Sequence, residues 1–519
     1  KREYLNMKEN YTEKRMVNRK DNYRYFTIEN ILCVFIIICP ILDIASFLFR
    51  QYFNTNISIS TFIRPIIPII AVIYIFFKDK IKIPLIFVSF IYLAYALGHI
   101  YTFNIVKNGC AYGTMLNEIQ YLVNYTFMIM NLFIYIYVFD YKSEGKNLSI
   151  SKLKKSVLTS LTIYIITMYL TLITNTSSFT YAEEKIGYKG WFESGNSIGT
   201  IMVLSLFIVV PTIRTERKKI IKAWKIIVVL LVGIYLCALL GTRTGMFGYI
   251  IVMISYLILV VMYKLIKNKK LNKKNIILCV ICFVNIAILV ITIGSETLER
   301  RKQLNERRQE IQDDMTSKTA HVTGDIVKIV KKIKNNEMDS KYMSREMQDA
   351  YLKLYNIANE KQISNTDRRR LQIIYHSYLI KEQKNILTIM LGNGYMSHFY
   401  EMTLEMEILA FLYNFGFIGF ILYFVPFFSI LIYGVYILFK EFKKIDIEFI
   451  MTLEGLGLAI VIAFLAGYTF FNSSTMVVIV ALCTIIIKKI RNINIDKTDS
   501  ITTNYIIKNI RKEKALWTK

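Results

Sequence analysis

Apolar segments long enough to cross a lipid bilayer recur along this chain. A helix rises 1.5 Å per residue, so about 20 apolar residues cross a hydrocarbon core of about 30 Å. The pattern predicts an all-α polytopic membrane protein with about 12 transmembrane helices. The predicted spans lie near residues 28–49, 62–77, 84–103, 118–139, 156–175, 197–213, 224–240, 246–264, 275–293, 406–439, 449–467 and 474–488. The run 406–439 is too long for one straight span, so we expect a break around Pro426.

Basic residues orient this arrangement. The sequence carries a formal net charge of +27, and short Lys- and Arg-rich blocks fall on one side of about twelve spans. By the positive-inside rule, both termini are expected in the cytoplasm. The chain is expected to begin with a cytoplasmic basic tail at 1–27 and a nine-helix membrane region at 28–293. A mostly helical extracellular loop domain at 294–404 follows. The last membrane helices at 405–488 then lead to a second cytoplasmic basic tail at 489–519.

The charge and the cysteines argue against two other classes of protein. A nucleic-acid-binding protein is disfavoured because the basic residues are split into short blocks beside membrane segments, where anionic lipid head groups are the natural partners. Six of the seven cysteines lie in apolar runs, and the four histidines form no cluster. We therefore expect neither a metal site nor a cofactor.

Two arginines near the predicted outer face are candidate substrate ligands. Arg64 lies about one turn inside the second span, where snorkelling to the interface is an equally good explanation. Arg243 lies in the short turn "GTRTG". Its glycines let the backbone approach a ligand closely, and a guanidinium fits phosphate oxygens.

The predicted extracellular loop ends in a second group of charges. Arg368, Arg369 and Arg370 follow the helix start "SNTD", where cations oppose the helix dipole unless an anion binds there. We take Arg368 and Arg370 as candidates, without deciding which contacts phosphate. Glu405 and Glu407 open the next apolar run; each is either a partner of the helix dipole or a general base.

The order of these motifs resembles a known family. "GYKGWFESGN", ending at Asn196, is followed by "GTRTG", a large loop with "SNTDRRR", then "LGNGY", and then "EMEILAFLYNFGFIGF". This order resembles the O-antigen ligase and polysaccharide polymerase superfamily. "AFLAGYTFFNSS" is similar to that family's late glycine- and serine-containing segment, with Tyr468 where many members have His.

The resemblance implies a membrane glycosyltransferase of the GT-C type in a bacterial cytoplasmic membrane. Such an enzyme transfers a glycan from an undecaprenyl pyrophosphate carrier to an acceptor sugar on the outer side. Glu405 falls where ligases of the family have a histidine, so it is the implied base, with Glu407 as its neighbour; this departure favours polymerisation. Arg243, Arg368, Arg370 and Arg64 would neutralise the pyrophosphate, and Asn196 joins them as a candidate substrate ligand. No Asp-x-Asp motif is present, so a metal-independent, inverting reaction is expected.

Two alternatives stay open from the sequence. A ligase would move a finished glycan to a lipid or cell-wall acceptor with the same donor chemistry. A flippase of lipid-linked oligosaccharide would carry charges deeper in the bundle and internal repeats. The implied partners are the lipid-linked donor and acceptor, membrane lipid, and a separate flippase and chain-length regulator.

Overall fold

The computed structural model describes most of the membrane region and part of the connecting loop. The described residues are 27–53, 59–78, 82–106, 114–141, 147–181, 185–266, 330–337, 345–360, 368–383, 385–395, 404, 406–465, 467 and 469–494. The predicted span at 275–293, residues 1–26 and 495–519 of the two basic tails, Glu405 and Tyr468 lie outside them. The first residues of the second predicted tail, 489–494, continue the last membrane helix.

Eight helices form the first part of the bundle. They are α1 (Ile28–Phe53), α2 (Ile59–Lys78), α3 (Lys82–Tyr101), α4 (Met115–Ile136), α5 (Asn147–Ile173), α6 (Gly195–Thr215), α7 (Lys219–Ile234) and α8 (Arg243–Ile266). Short π-helical turns extend α3, α4 and α7 to Val106, Tyr141 and Leu239. Helix α6 is the central element, because nearly its whole length is buried against neighbouring helices.

A β-hairpin covers one end of this bundle, where the sequence pattern predicted only a loop. Strands β1 (Ser178–Tyr181) and β2 (Ile186–Gly190) pair antiparallel. Gly187 and Gly190, both in β2, have φ of 67° and 64°, a region that glycine adopts without strain. Alternating aromatic and β-branched residues favour this short pairing, which we missed because the hairpin lies between two much stronger helical signals.

The connecting loop is helical in its described parts. It contains α9 (Arg345–Glu360), α10 (Arg368–Gln383) and the short α11 (Ile386–Leu391). Helices α10 and α11 pack against the next membrane helix. This agrees with the expected helical character of the segment 294–404.

The long apolar run after the loop is bent, as predicted. It divides into α12 (Glu407–Tyr423) and α13 (Val425–Lys440), which meet at an angle of 47°. Pro426, at the start of α13, lacks the N–H that would continue the preceding helix. Two further helices, α14 (Ile447–Leu465) and α15 (Ser473–Asn494), complete the described bundle.

Most of the predicted spans correspond to described helices. Within the described residues, nine helices are long and apolar enough to cross a membrane, and α12 with α13 makes a tenth as one bent span. Helix α2 adds a shorter apolar stretch, Ile63–Phe77. The chain is therefore an all-α polytopic membrane protein with a small β-hairpin.

The end of the bundle away from the hairpin carries ion pairs between basic and acidic side chains. Glu448 at the start of α14 pairs with Lys154 on α5 and with Lys489 on α15. Lys488 lies 3.7 Å from Asp140 at the end of α4. These are the ends that the charge pattern assigns to the cytoplasmic side.

Candidate functional site

A cleft opens at the hairpin end of the bundle. It encloses about 800 Å³ of empty volume between α1, α2, α6 and the start of α15. Its polar lining comprises Asp43, Ser46, Arg50, Ser60, Arg64, Glu193, Ser194, Ser197, Asn472 and Ser473. Two guanidinium groups and two carboxylates therefore border one space at the edge of the predicted membrane.

Arg64 is the most buried of these charges, with 7% of its surface exposed. Its guanidinium donates to the carboxylate of Asp43 on α1 and to the hydroxyl of Ser473, and Nη2 lies 2.6 Å from Ser474 Oγ. Asp43 Oδ2 also accepts from Ser474, at 2.6 Å, and from the Tyr164 hydroxyl on α5, at 2.7 Å. The network joins four helices, so it fixes the floor of the cleft. A charge pair buried this way needs these extra hydrogen bonds to offset its desolvation.

Arg50 forms a second, more exposed cationic group at the mouth of the cleft. Its Nη1 lies 3.1 Å from Glu193 Oε1, and the two side chains are 39% and 46% exposed. Lys189 on β2 donates to the Glu193 carbonyl at 2.9 Å, and partial burial lowers the pKa of this lysine. An incoming anion could replace the Glu193 carboxylate on Arg50, because an exposed ion pair contributes little stability.

A second space adjoins the cleft, and Arg64 lines both. It has about 530 Å³ of empty volume and shares Ser60, Arg64, Phe471 and Ser473 with the cleft. Its remaining lining is mostly apolar and comes from α2, α4 and the start of α15: Pro65, Asn124, Tyr125, Phe127, Met128, Phe470 and Met476. Arg64 therefore lines both spaces, and the second differs from the cleft in its larger share of aromatic and aliphatic residues.

Glu407 lies at the first turn of α12 and is completely buried. Its Oε1 accepts the backbone N–H groups of Thr469, at 2.6 Å, and Phe471, at 3.0 Å. Its Oε2 accepts the N–H of Phe470 at 2.8 Å. Both carboxylate oxygens are therefore bonded to the segment between α14 and α15. This is a poor geometry for a base, which must reach the acceptor proton.

The "LGNGY" turn docks against a break in α12. Gly416 has φ of 68° inside the helix, and the carbonyls of Tyr413 and Asn414 accept the N–H groups of Asn393 and Gly394 at 2.8 and 2.9 Å. The freed backbone groups are therefore satisfied inside the apolar bundle, as a broken membrane helix requires. The resemblance to the family gave these two motifs only as neighbours in order along the chain.

A buried His–Glu pair secures the same turn from the other side. His99 on α3 lies 2.7 Å from Glu118 Oε1 on α4 and 2.6 Å from the Leu391 carbonyl. Glu118 Oε2 accepts the N–H of Tyr395 at 2.7 Å. The Glu118 carboxylate thus positions the turn that precedes α12.

Arg243 and Asn196 lie at the starts of two neighbouring helices. Arg243 is exposed at the first position of α8, and Asn196 is partly exposed at the start of α6. The hairpin links them, because Thr180 on β1 donates to the Leu240 carbonyl at 2.8 Å, just before "GTRTG". The structure therefore brings the "GYKGWFESGN" and "GTRTG" motifs together.

The arginines of the loop lie at the start of α10, which packs against α12. Arg369 is exposed, and the side chains of Arg368 and Arg370 lie outside what the structure describes. Glu405 and Tyr468 also lie outside it. The roles given to these residues therefore stay predictions.

Sequence reasoning missed several polar residues of the cleft. Arg50 and Tyr164 gave no pattern of their own. Glu193 and Ser473 lie in motifs that carry the family resemblance, but neither they nor Asp43 was a candidate site residue. A lone carboxylate within an apolar run does carry a signal, since it needs a partner inside the bundle. The identity of that partner depends on helix packing, which one sequence does not reveal.

The site has the chemistry to hold an anionic head group. Its guanidinium groups can form charge-assisted bonds to phosphate oxygens, and its serines and Asn472 offer neutral donors. In the described ranges, no three or more His, Cys, Asp or Glu side chains are grouped as metal ligands.

Comparison with known proteins agrees with this architecture. No curated protein sequence and no solved structure matches the chain. The model of one family, described as O-antigen ligase like membrane protein, matches residues 25–492 and so covers every helix of the bundle described above. The chain belongs to the O-antigen ligase like family of membrane proteins.

Proposed function

We propose that this protein is a membrane glycosyltransferase that polymerises undecaprenyl-pyrophosphate-linked repeat units on the outer face of the cytoplasmic membrane. The observation that carries the proposal is the cleft at the hairpin end, where Arg64 and Arg50 border a polar space that adjoins a second one with several aromatic and aliphatic lining residues. Family membership supports a glycan-transferring enzyme of the ligase and polymerase type.

The cleft suits a pyrophosphate leaving group on a lipid. The exposed Arg50 can exchange Glu193 for a phosphate, while the more rigid Arg64 presents the edge of its guanidinium. The aromatic and aliphatic residues of the adjoining space would contact the first part of the polyprenyl chain. Arg243, Arg368 and Arg370 remain proposed phosphate ligands and Asn196 a proposed glycan ligand. Fixed cations of this kind stabilise the charge that develops as the pyrophosphate departs, which makes the proposed reaction metal-independent.

Glu405 is the proposed general base. It would take the proton from an acceptor hydroxyl as that oxygen attacks the anomeric carbon and the bond to the pyrophosphate oxygen breaks. Attack opposite the leaving group inverts the anomeric configuration. Glu407 was the second candidate for this role, but its occupied oxygens favour Glu405.

A reconstituted assay tests the proposal against its alternatives. Purified protein in vesicles receives a lipid-linked repeat unit, and the products are separated by length. A ladder of lipid-linked polymers is expected for a polymerase. A single product that requires a second acceptor would indicate a ligase, and movement of the donor across the bilayer without new glycosidic bonds would indicate a flippase.

Variants then connect the activity to the cleft. Arg50→Ala should raise the KM for the donor about 10- to 100-fold, because a charge-assisted contact to a phosphate is lost. Arg217→Ala is the matched control, since Arg217 is exposed in the loop between α6 and α7, at the other end of the bundle. Equal KM values for the two variants would remove Arg50 from the phosphate site.

A further inference from the structure

The Glu407 carboxylate accepts hydrogen bonds from the backbone of a segment that lies far away in the sequence. Thr469, Phe470 and Phe471 present three consecutive N–H groups to one carboxylate. Successive N–H groups that converge in this way form an anion-binding concavity, and here the anion is a side chain of the protein itself. The segment follows Gly467, whose φ of 69° turns the chain after α14.

The same segment delivers the serines of the cleft. Ser473 and Ser474 follow Phe471 by two and three residues and bond to Arg64 and Asp43. Asn472 fixes the intervening turn, because its Oδ1 accepts the N–H groups of Ser474, at 3.0 Å, and Thr475, at 2.9 Å. A rigid connection of a few residues therefore runs from the Glu407 carboxylate to the Arg64 guanidinium.

Aromatic packing also holds the segment 469–471 in place. The Phe471 ring lies 5.0 Å from that of Phe411, one turn after Glu407 on α12, and 5.2 Å from that of Tyr125 on α4. Movement of the 469–471 segment would therefore displace Phe471, which lines both compartments of the cleft. A shift of α12 would therefore move Phe471 and change the shape of the donor site.

We propose that Glu407 is a positioning residue that anchors the segment 469–471 and thereby sets the place of Ser473, Ser474 and Arg64 in the donor cleft. Its effect on catalysis is indirect, and the base is a different group. The functional part of this inference rests on the proposed function, whereas the anchoring part stands on the geometry alone.

Hydrogen exchange tests the anchoring without any substrate. Glu407→Gln replaces one acceptor oxygen with an NH₂ group that faces an N–H donor, so at least one of the three bonds is lost. Amides 469–471 should then exchange about 10- to 100-fold faster. Glu448→Gln is the matched control, because it removes a mostly buried carboxylate at the opposite end of the bundle and should leave these amides protected. Unchanged protection in Glu407→Gln would overturn the inference.

Kinetics on the same variants separate an anchor from a base. Glu407→Gln should raise the donor KM by about tenfold or more while kcat changes only a few-fold. A base would lower kcat roughly 100- to 10,000-fold with KM little changed. That second result for Glu407 would overturn the positioning role. If wild-type protein shows no transfer at all, the proposed function fails, but the exchange experiment still decides the anchoring.

A double-mutant cycle adds a readout that general destabilisation would not give. Ser473→Ala removes a hydroxyl at the end of the proposed connection. Combined with Glu407→Gln, it should raise KM by much less than the product of the two single effects, since both act through one segment. A fully multiplicative effect would contradict the connection. If the glutamine variant does not fold, Glu407→Asp is used, which keeps both oxygens on a shorter side chain and should give a smaller change of the same kind.

Discussion

Asp43 and Arg64 show how one residue pair supports an end of the bundle. The carboxylate and the guanidinium share their hydrogen bonds with Ser473, Ser474 and Tyr164. A charge in this position is stable only while its partner is present, because a lone buried ion loses its hydration without compensation. The pair is therefore structural as well as a border of the donor cleft.

Removing either partner should destabilise the protein strongly. Asp43→Leu and Arg64→Met should each cost about 3 to 5 kcal/mol, whereas the double variant that combines them should cost less than the sum of the two. Unfolding of the purified protein in detergent measures this. Asp446→Asn is the control: Asp446 pairs with Lys489 while 48% exposed, and asparagine keeps the cap on Phe449, so a loss below about 1 kcal/mol is expected. Equal losses for the two sites would contradict the structural role.

Metal independence is a second expectation at the scale of residues. If arginines neutralise the pyrophosphate, glycan transfer by purified protein should continue at an unchanged rate in excess chelator. Comparison with the same preparation supplied with magnesium or manganese provides the control. Strict dependence on an added cation would mean that Arg50, Arg64 and the loop arginines are not sufficient as phosphate partners.

The limits of sequence reasoning are clearest at these residues. The sequence identified Arg64 and Glu407 as polar groups at the edge of the membrane, and both lie at the predicted end of the bundle. It did not reveal that Arg64 pairs with a carboxylate on the preceding helix or that Glu407 binds amides 62 positions away. Such contacts depend on how helices rotate against one another, and the hydrophobic pattern fixes that rotation only loosely in a membrane, where both faces of a helix are apolar.

At the scale of elements, the bent run α12–α13 contains two kinds of break. The first, at the start of α13, is encoded locally by Pro426 and was predictable. The second, at Gly416, depends on the "LGNGY" turn, which supplies two N–H groups to the freed carbonyls. A glycine in an apolar helix does not by itself indicate such a partner, so this break was not predicted.

Gly416→Ala should disrupt this junction. An added Cβ would lie 2.6 Å from the carbonyl atoms of Met390, and alanine disfavours φ of 68°. We expect a loss of at least about 1 to 3 kcal/mol and faster hydrogen exchange at residues 390–395. Gly457→Ala in α14 is the matched control, since its nearest neighbour would be Leu431 Cδ1 at 3.8 Å. That substitution should be neutral or stabilise the helix by about 0.5 to 1 kcal/mol.

At the scale of the whole molecule, charged groups divide between two ends with different organisation. One end holds interlocked ion pairs among Lys154, Glu448, Lys489 and Asp446. The other end holds the cleft, in which the exposed cation Arg50 has a carboxylate that a ligand can displace. The apolar pattern and the distribution of lysines were enough to predict the helices and their grouping into ends. They could not predict the cleft, whose walls come from both halves of the chain.

Cysteine labelling in intact cells tests the orientation. In a variant with Cys110 replaced by serine, Ser317→Cys should react with a membrane-impermeant reagent and Ser500→Cys should not. Both positions lie outside the described residues, so their expected sides of the membrane come from the sequence alone. Permeabilised cells serve as the control, because both sites should then be labelled. Labelling of position 500 but not of 317 in intact cells would reverse the topology and move the cleft to the cytoplasmic side.

The sequence distance between Arg64 and Ser474 has a consequence for the biogenesis of the protein. The two residues are 410 positions apart, so a ribosome that adds about 5 to 20 residues per second makes the second roughly 20 to 80 seconds after the first. During that interval Asp43 and Arg64 enter the membrane on adjacent helices and can neutralise each other, which lowers the cost of inserting both charges. Ser473 and Ser474, which complete the cleft, are made only with α15. A chain released before that point would carry the charge pair without a finished cleft, so the site can be assembled only after α15 has been made.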